Sequence, residues 1–376
     1  MVRSVVHYTD SRLFGGAEQA LLTLIESLDK HAWHSTLFHG DTPAVSPLPQ
    51  RAGELGATVR SVPEIPHTPD GARYIPGLVR ELRRARPAVF HAHLSWPFAA
   101  KYALVAALLA RIPAVVATLQ LFPEFRIHRS TAVQGRLLAV GVGRYIAVSR
   151  DIAQRIEEQL HWPAHKITVI YNGVQIERFG HPADAALHAT LSRGGRLILL
   201  TIARLDAQKG HEVLLRAVAH VPGVQLVFAG DGPERAALET QASTLGLGDR
   251  VLFLGHRMDV SELLAASDVF VLPSLFEGSS LAVLEAMAAM KPIISSSIGG
   301  TDELIVHGES GLLVPPADPD ALALALRQLL ASPEARTKLA ASARLRVEQR
   351  FSASATAEQV SMVYEDLLRA PAQKDR

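Results

Sequence analysis

The chain of 376 residues contains no cysteine, which excludes a disulfide framework, a thiolate zinc site and a cysteine nucleophile. It has no low-complexity block. With 20% charged and 48% hydrophobic residues, its composition is that of an ordinary globular protein. An uninterrupted apolar run of membrane length is also missing. The most apolar stretch, 103–121, is broken by Arg111 and Pro113 into a helix followed by a buried strand. The opening MVRSVVHYTD runs directly into a strand without a secretory signal pattern, so a soluble cytoplasmic protein is expected. The basic residues do not form the dense stripe that nucleic acid requires. No group of His, Asp and Glu at metal-ligand spacing stands out, so no metal is expected.

Charge is scarce in net terms but unevenly placed. The total is +1, yet residues 1–171 hold 19 Lys and Arg against 13 Asp and Glu, a net +6. The remainder holds 19 against 24, a net −5. A basic first half suits an anionic partner or a membrane surface. The helix-like stretch 72–87 sets Arg80, Arg83, Arg84 and Arg86 beside a stripe of Ile75, Leu78, Val79 and Leu82. Such a helix can lie on the inner face of an anionic membrane, or simply cover a sheet with its apolar side.

What is present is a long alternation of short apolar runs and helical stretches. In the first half the runs are 4–9, 33–39, 57–62, 88–93, 114–119, 145–149 and 167–171. In the second they are 196–203, 224–230, 251–255, 269–274, 292–297 and 311–315. Continuous apolar strands separated by helices predict parallel sheets covered on both faces. Two such series predict two doubly wound, Rossmann-like domains, over 1–171 and 196–350, with 172–195 as a linker. A last helix within 351–376 can pack back on the first domain. Ligands in open α/β sheets bind beyond the strands' carboxyl ends, so the main site is expected in a cleft between the two domains.

Two glutamates eight residues apart, Glu277 and Glu285, carry the most information. They lie in LFEGSSLAVLEAMAAM, between the apolar run ending at Ser274 and a helix of good helix formers. Glu277 falls on the strand-to-helix loop, Ser279 and Ser280 are candidate N-caps, and Glu285 falls about one turn into the helix. A helix N-terminus offers unpaired N–H groups and positive dipole to a phosphate. Each carboxylate can accept two O–H bonds from a vicinal diol. Phosphate between two diols is the outline of a nucleotide-sugar. Acids near a helix start can equally serve the dipole alone.

Other motifs sit at strand ends. Gly15-Gly16 precede a helix expected to begin near Ala17, where the backbone can approach a phosphate. His91 and His93 alternate to one face of their strand, with His93 at its carboxyl end and His91 read as structural; Trp96-Pro97 open the next helix. Arg204 and Lys209 flank the first strand-to-helix loop of the second domain and can neutralise a diphosphate. The turn Gly230-Asp231-Gly232 reads as structural, and Gly255-His256-Arg257 falls where a nucleotide base can lie.

Taken together, GGAE (15–18), HAH (91–93), AVSR (147–150), YNGVQIERF (171–179), ARLDAQKG (203–210), GDGP (230–233) and FEGSSLAVLEAMA (276–288) resemble the retaining glycosyltransferase family 4. That family has the GT-B fold of two facing Rossmann-like domains, and the resemblance covers nearly the whole chain. It implies transfer of a hexose from a UDP- or GDP-sugar to a hydroxyl of a glycan, lipid-linked or small-molecule acceptor. Carried over, Glu277 binds donor-sugar hydroxyls and Glu285 the ribose. Arg204 and Lys209 stabilise the leaving diphosphate. Backbone N–H groups near Gly16, Ser280 and Leu281 meet phosphate and sugar oxygens, and His93 lies beside the donor sugar. No cofactor beyond the donor is implied. Many members carry Phe-Gly where this chain has Ser279-Ser280, which implies altered sugar preference. Gln175 stands where Asp is common. A non-hydrolysing nucleotide-sugar epimerase and a catalytically silent GT-B scaffold are the alternatives. The loops 42–49, 63–74 and 121–130 are expected to meet the acceptor and carry no recognisable motif.

Overall fold

The computed structural model of the chain describes residues 2–40, 42, 45–123 and 129–370. It divides into two compact units. The first is built from residues up to Gly173 together with the segment from Ala353, and the second from Val174–Ser352.

The first unit holds a seven-stranded parallel sheet in the order β3-β2-β1-β4-β5-β6-β7. Its strands are β1 (Arg3–Thr9), β2 (Trp33–Gly40), β3 (Thr58–Val62), β4 (Val89–Leu94), β5 (Ala114–Leu119), β6 (Arg144–Ala147) and β7 (Ile167–Val169). The helices are α1 (Gly16–Ser27), α2 (Pro47–Glu54), α3 (Ile75–Ala85), α4 (Lys101–Leu109), α5 (Arg129–Gly141) and α6 (Arg150–Arg155). Strands β4 and β5 are buried along their whole length, which is why they read as unbroken apolar runs. The reversal of strand order beside β1 sends α1 and α2 to one face and α3, α4 and α5 to the other. On the first face also lies a helix from the far end of the sequence, α15 (Ala353–Arg369). Its Val360, Val363 and Tyr364 pack with Val5, Trp33, Val89 and Val116.

The second unit holds a six-stranded parallel sheet in the order β10-β9-β8-β11-β12-β13. Its strands are β8 (Leu197–Ile202), β9 (Val224–Ala229), β10 (Val251–Phe253), β11 (Val269–Leu272), β12 (Ile293–Ser296) and β13 (Leu312–Val314). The helices are α7 (Ala185–Ser192), α8 (His211–Ala219), α9 (Arg235–Thr244), α10 (Val260–Ala266), α11 (Leu281–Ala288), α12 (Gly299–Leu304), α13 (Pro319–Ala331) and α14 (Pro333–Arg350). Side-chain caps fix several starts: Asp318 accepts from Ala321 N at 2.9 Å and Ser332 from Ala335 N at 3.2 Å.

Two sequence expectations change, and one of two open readings is decided. The segment 172–195 carries α7, which Asp184 caps through Ala186 N at 2.8 Å, and Leu191 and Ser192 are buried within the second unit. Trp96-Pro97 lie in a turn, and α4 begins at Lys101 after Ala100 in a left-handed conformation (φ 53°). The apolar stripe of α3 faces the sheet, with Leu78 and Leu82 buried and Ile75 and Val79 packed against them. No helix among the described residues is long and apolar enough to cross a membrane. Of the loops expected to meet an acceptor, residues 43–44 and 124–128 lie outside the described residues.

Candidate active site

In the second unit the singled-out residues converge on the carboxyl ends of β8 and β11. Lys209 Nζ donates to Glu277 Oε1 at 2.6 Å, and the two side chains are only 18% and 7% exposed. Two charges in so little solvent are held apart from water, so their mutual bond is worth more than a surface pair's and each depends on the other. Ser274 Oγ donates to the same Oε1 at 2.7 Å. Glu277 is thus anchored through one oxygen by two donors.

The loops that present this pair are tied together. Leu275 N donates to the Gln208 carbonyl at 2.7 Å, and Gln208 Nε2 donates to the Phe276 carbonyl at 2.9 Å. Gly210, with φ 63°, lets the backbone pass where a Cβ would collide with the Pro273 carbonyl. Ser280 is the N-cap of α11, its Oγ accepting from Val283 N at 3.4 Å, while Ser279 is not the cap. Leu281 is the first residue of α11, whose leading N–H groups have no carbonyl a turn earlier to bond. Glu285 is half-buried one turn further on.

Arg204 is 52% exposed and paired with Asp206. Its loop is braced from two sides. The Gly230–Pro233 turn presses on it so closely that a Cβ on Gly230 or Gly232 would collide with the Ala203 or Leu205 carbonyl. Leu205 N donates to the Asp231 carbonyl at 2.9 Å and Glu234 N to the Leu205 carbonyl at 3.0 Å. His211 Nε2 donates to the Arg204 carbonyl at 3.0 Å. Burial pushes the His211 pKa down to about 4, so the ring is neutral at neutral pH and fixed in that tautomer. Arg257 is paired with Asp259, its Nε 2.7 Å from Oδ1.

In the first unit, α1 starts at Gly16 after the N-cap Gly15, whose N–H donates to Glu18 Oε2 at 2.8 Å. Glu18 is therefore part of the local turn, a capping role. The parallel register of β1 and β4 sets His7 beside His91 and Thr9 beside His93. Among the described residues, His7, His91 and His93 bring ring nitrogens within 4.8 Å of one another, a grouping that the sequence reading missed. A third imidazole lies 84 residues upstream of the HAH motif, and only the strand pairing reveals it.

Those rings are already engaged. His91 Nδ1 meets the Tyr364 hydroxyl at 2.6 Å and its Nε2 the Thr118 hydroxyl at 2.7 Å. His7 Nδ1 meets His93 Nε2 at 3.1 Å, and its Nε2 lies 3.4 Å from Ser35 Oγ. An ion on all three would have to displace Tyr364 or Thr118, so the arrangement is a hydrogen-bonded relay. Burial holds His7 and His91 well below the ordinary histidine range and pushes His93 down to about 3. All three are neutral at neutral pH. His93 also lines a small cavity of about 30 Å³, with Thr118, Gln120 and Asn172 among apolar neighbours such as Leu24, Ile146 and Val360.

Comparison with known proteins decides the family. The Glycosyltransferase Family 4 model matches residues 14–178 and the Glycosyl transferases group 1 model residues 184–346. The Bacillus subtilis protein EpsD, named as a glycosyltransferase, is 30% identical over 64% of this chain and 67% of its own length. The chain belongs to the group 1/family 4 glycosyltransferases. A lipopolysaccharide core biosynthesis glycosyltransferase of Rhizobium meliloti, LpsE, is 34% identical over 50% of this chain. The chain spans about half the length of several such relatives, 54% of that one. Anabaena HepE, solved with UDP-glucose, superposes with a TM-score of 0.84 over 97% of this chain and 100% of its own, at 23% identity. The GT-B fold follows, in the two units described above. For a group 1/family 4 glycosyltransferase the residues that sequence alone left unremarked are Ser274, Gln208 and His211. Each touches a singled-out residue or its loop, and Gln208, though inside ARLDAQKG, had no role assigned to it there.

Proposed function

We propose that this chain is a metal-independent retaining glycosyltransferase acting from a nucleoside-diphosphate sugar onto a hydroxyl acceptor. The observation that carries the reading is Glu277, fixed through Oε1 by Lys209 and Ser274 beside the N-terminus of α11. The remaining carboxylate oxygen is suited to sugar hydroxyls, and Glu285 further along the helix to the ribose diol. The diphosphate meets the first N–H groups of α11, with Lys209 and Arg204 as cations. HepE was solved with UDP and glucose and with UDP-glucose, which supports a nucleotide-sugar donor here. In the first unit by itself, Gly16 opens α1, a helix start of the kind that suits a phosphate, and His93 is a buried, neutral imidazole.

In the reaction, the bond from the anomeric carbon to the diphosphate oxygen breaks as the acceptor oxygen bonds the same face. The acceptor proton passes to the departing diphosphate. The protein supplies position and fixed positive charge where negative charge develops. Those two cations take the part a divalent ion would play on the diphosphate.

Nucleoside diphosphate release from a panel of nucleotide-sugars tests the proposal. Arg204→Ala, Lys209→Ala and Glu277→Ala are each expected to lower turnover about 100- to 1000-fold. Near-native turnover in Arg204→Ala would sink the donor-site reading. Activity is expected to survive EDTA; loss restored by magnesium or manganese would show that the cations do not suffice.

A further inference from the structure

The basic excess of the first unit has a location. Residues 72–144 hold eleven Lys and Arg against two Asp and Glu, a net +9. The rest of 1–171 holds eight against eleven, a net −3. The excess falls in the stretch of sequence that carries α3, α4 and α5, which pack side by side on one face of the sheet. Arg80, Arg83, Arg84 and Arg86 are exposed and rim an open concavity of about 620 Å³ on α3. The only acid on α3, Glu81, is shared between Arg84 at 2.9 Å and Arg60 at 3.5 Å. Arg83 reaches the Leu109 carbonyl at the end of α4, at 3.1 Å, and Arg111 is exposed just beyond.

Beside this charge lies apolar surface that the core does not use. On α5 the inner face is packed. Ala139 is buried, and a Cβ on Gly135 would come within 2.7 Å of the Phe98 ring. The outer face carries Val133, Leu137 and Val140, exposed by 59%, 70% and 62%. Spaced by four and three residues, they form one stripe along the helix. Leu109 on neighbouring α4 is 55% exposed, and Arg136 on α5 is exposed as well. An apolar stripe on a domain surface marks an interaction site, and its basic flank says which kind. A second copy of the chain would set this basic face against itself. Nucleic acid has no use for three exposed aliphatic side chains. An anionic bilayer satisfies both, with phosphates at the arginines and acyl chains under the stripe.

We infer that the outer face of α3, α4 and α5 docks on an anionic lipid surface. The stripe of α5 enters the headgroup boundary and the α3 arginines bind lipid phosphates. Each arginine contributes about a fivefold gain in partition, so three contribute about 100-fold.

The full chain is sedimented with phosphatidylcholine vesicles and with phosphatidylcholine vesicles containing phosphatidylglycerol. Binding to the anionic vesicles alone is expected at low salt, with release at high salt as the charges are screened. Arg80→Gln/Arg84→Gln/Arg86→Gln should lower partition about 100-fold, and Val133→Ser/Leu137→Ser should lower it at unchanged charge. All five side chains are exposed, so folding is expected to survive, checked by thermal unfolding. Nucleoside diphosphate release without vesicles should be unchanged in both variants, which keeps failure of the surface apart from failure of the donor site. Equal partition to neutral and anionic vesicles would overturn the inference. So would anionic binding that ignores the Val133/Leu137 change, the behaviour of a site for a soluble polyanion. A dimer seen by light scattering and broken by the Leu137 variant would assign the stripe to a second copy instead.

Discussion

Glu277 shows how much a single side chain depends on residues that carry no motif. Its Oε1 accepts from Lys209 at 2.6 Å and from Ser274 at 2.7 Å, and Ser274 is fully buried. A hydrogen bond to a buried charge contributes about 1.5–3 kcal/mol. Ser274→Ala is therefore expected to lower kcat/KM about 10- to 100-fold, with Ser274→Thr recovering part of the loss by restoring the hydroxyl. If Ser274 only fills space, the alanine variant will keep native kinetics while losing thermal stability. Glu277 and Lys209 were singled out in the sequence because they recur at the family's spacing as part of a set, although each alone admits a bland reading as a helix-start acid or a solvated surface charge. Ser274 was not, because a serine closing an apolar strand is ordinary and its orientation appears only once the loop is folded.

At the scale of elements, the thirteen strands among the described residues were legible as short apolar runs; central ones such as β4 and β5 are buried throughout, while edge strands such as β3 and β7 are not. The α11 start was legible to within a residue, from a run of helix formers after Ser279-Ser280, and the structure selects Ser280 as the cap. Register was not legible: nothing in the sequence says that His7 on β1 stands beside His91 on β4. Nor does periodicity tell which helix keeps an apolar face for solvent. The α3 stripe faces the core and the α5 stripe faces out. The histidine cluster carries a pH consequence. Burial keeps His7, His91 and His93 neutral in the folded chain, with Lys30 adding to the effect at His7. The unfolded chain takes up protons as pH falls through the usual histidine range near 6.5, so it binds more protons than the folded form and stability falls. Each histidine contributes up to about 1.4 kcal/mol per pH unit below that range. Asp10 and Glu18, raised by burial, work in the opposite sense and reduce the net slope. The urea unfolding free energy should drop between pH 7 and 5, and the slope should be shallower in His91→Gln. A flat or rising profile would mean that these histidines are charged in the folded state.

At the scale of the molecule, the chain leaves the first unit after Gly173 and returns to it at Ala353. The second unit is therefore one continuous insertion, and the first is completed by the last helix of the sequence. That helix is structural in the strict sense. Tyr364 is fully buried, bonds His91 at 2.6 Å and meets Trp33 edge-on with centroids 5.1 Å apart, while Trp33 Nε1 donates to Ser361 at 2.8 Å. Burying Val360, Val363 and Tyr364 is worth about 1.5–3 kcal/mol each, roughly 5–9 kcal/mol together. That approaches the whole stability of a domain, about 5–15 kcal/mol. Removing everything after Ser352 uncovers β1, β4 and β5 and strands the His91 ring without its phenol partner. A chain ending at 352 is thus expected to lose the cooperative unfolding transition of the first unit and to aggregate. A 174–352 fragment, which keeps all of β8–β13 and the Lys209–Glu277 pair, is expected to fold alone and bind UDP. Calorimetric unfolding of the shortened chain and of the fragment, with UDP titrated into the fragment, checks the two halves of this expectation. A native first-unit transition in the chain ending at 352 would show that α15 is an accessory to the sheet rather than the element that closes it.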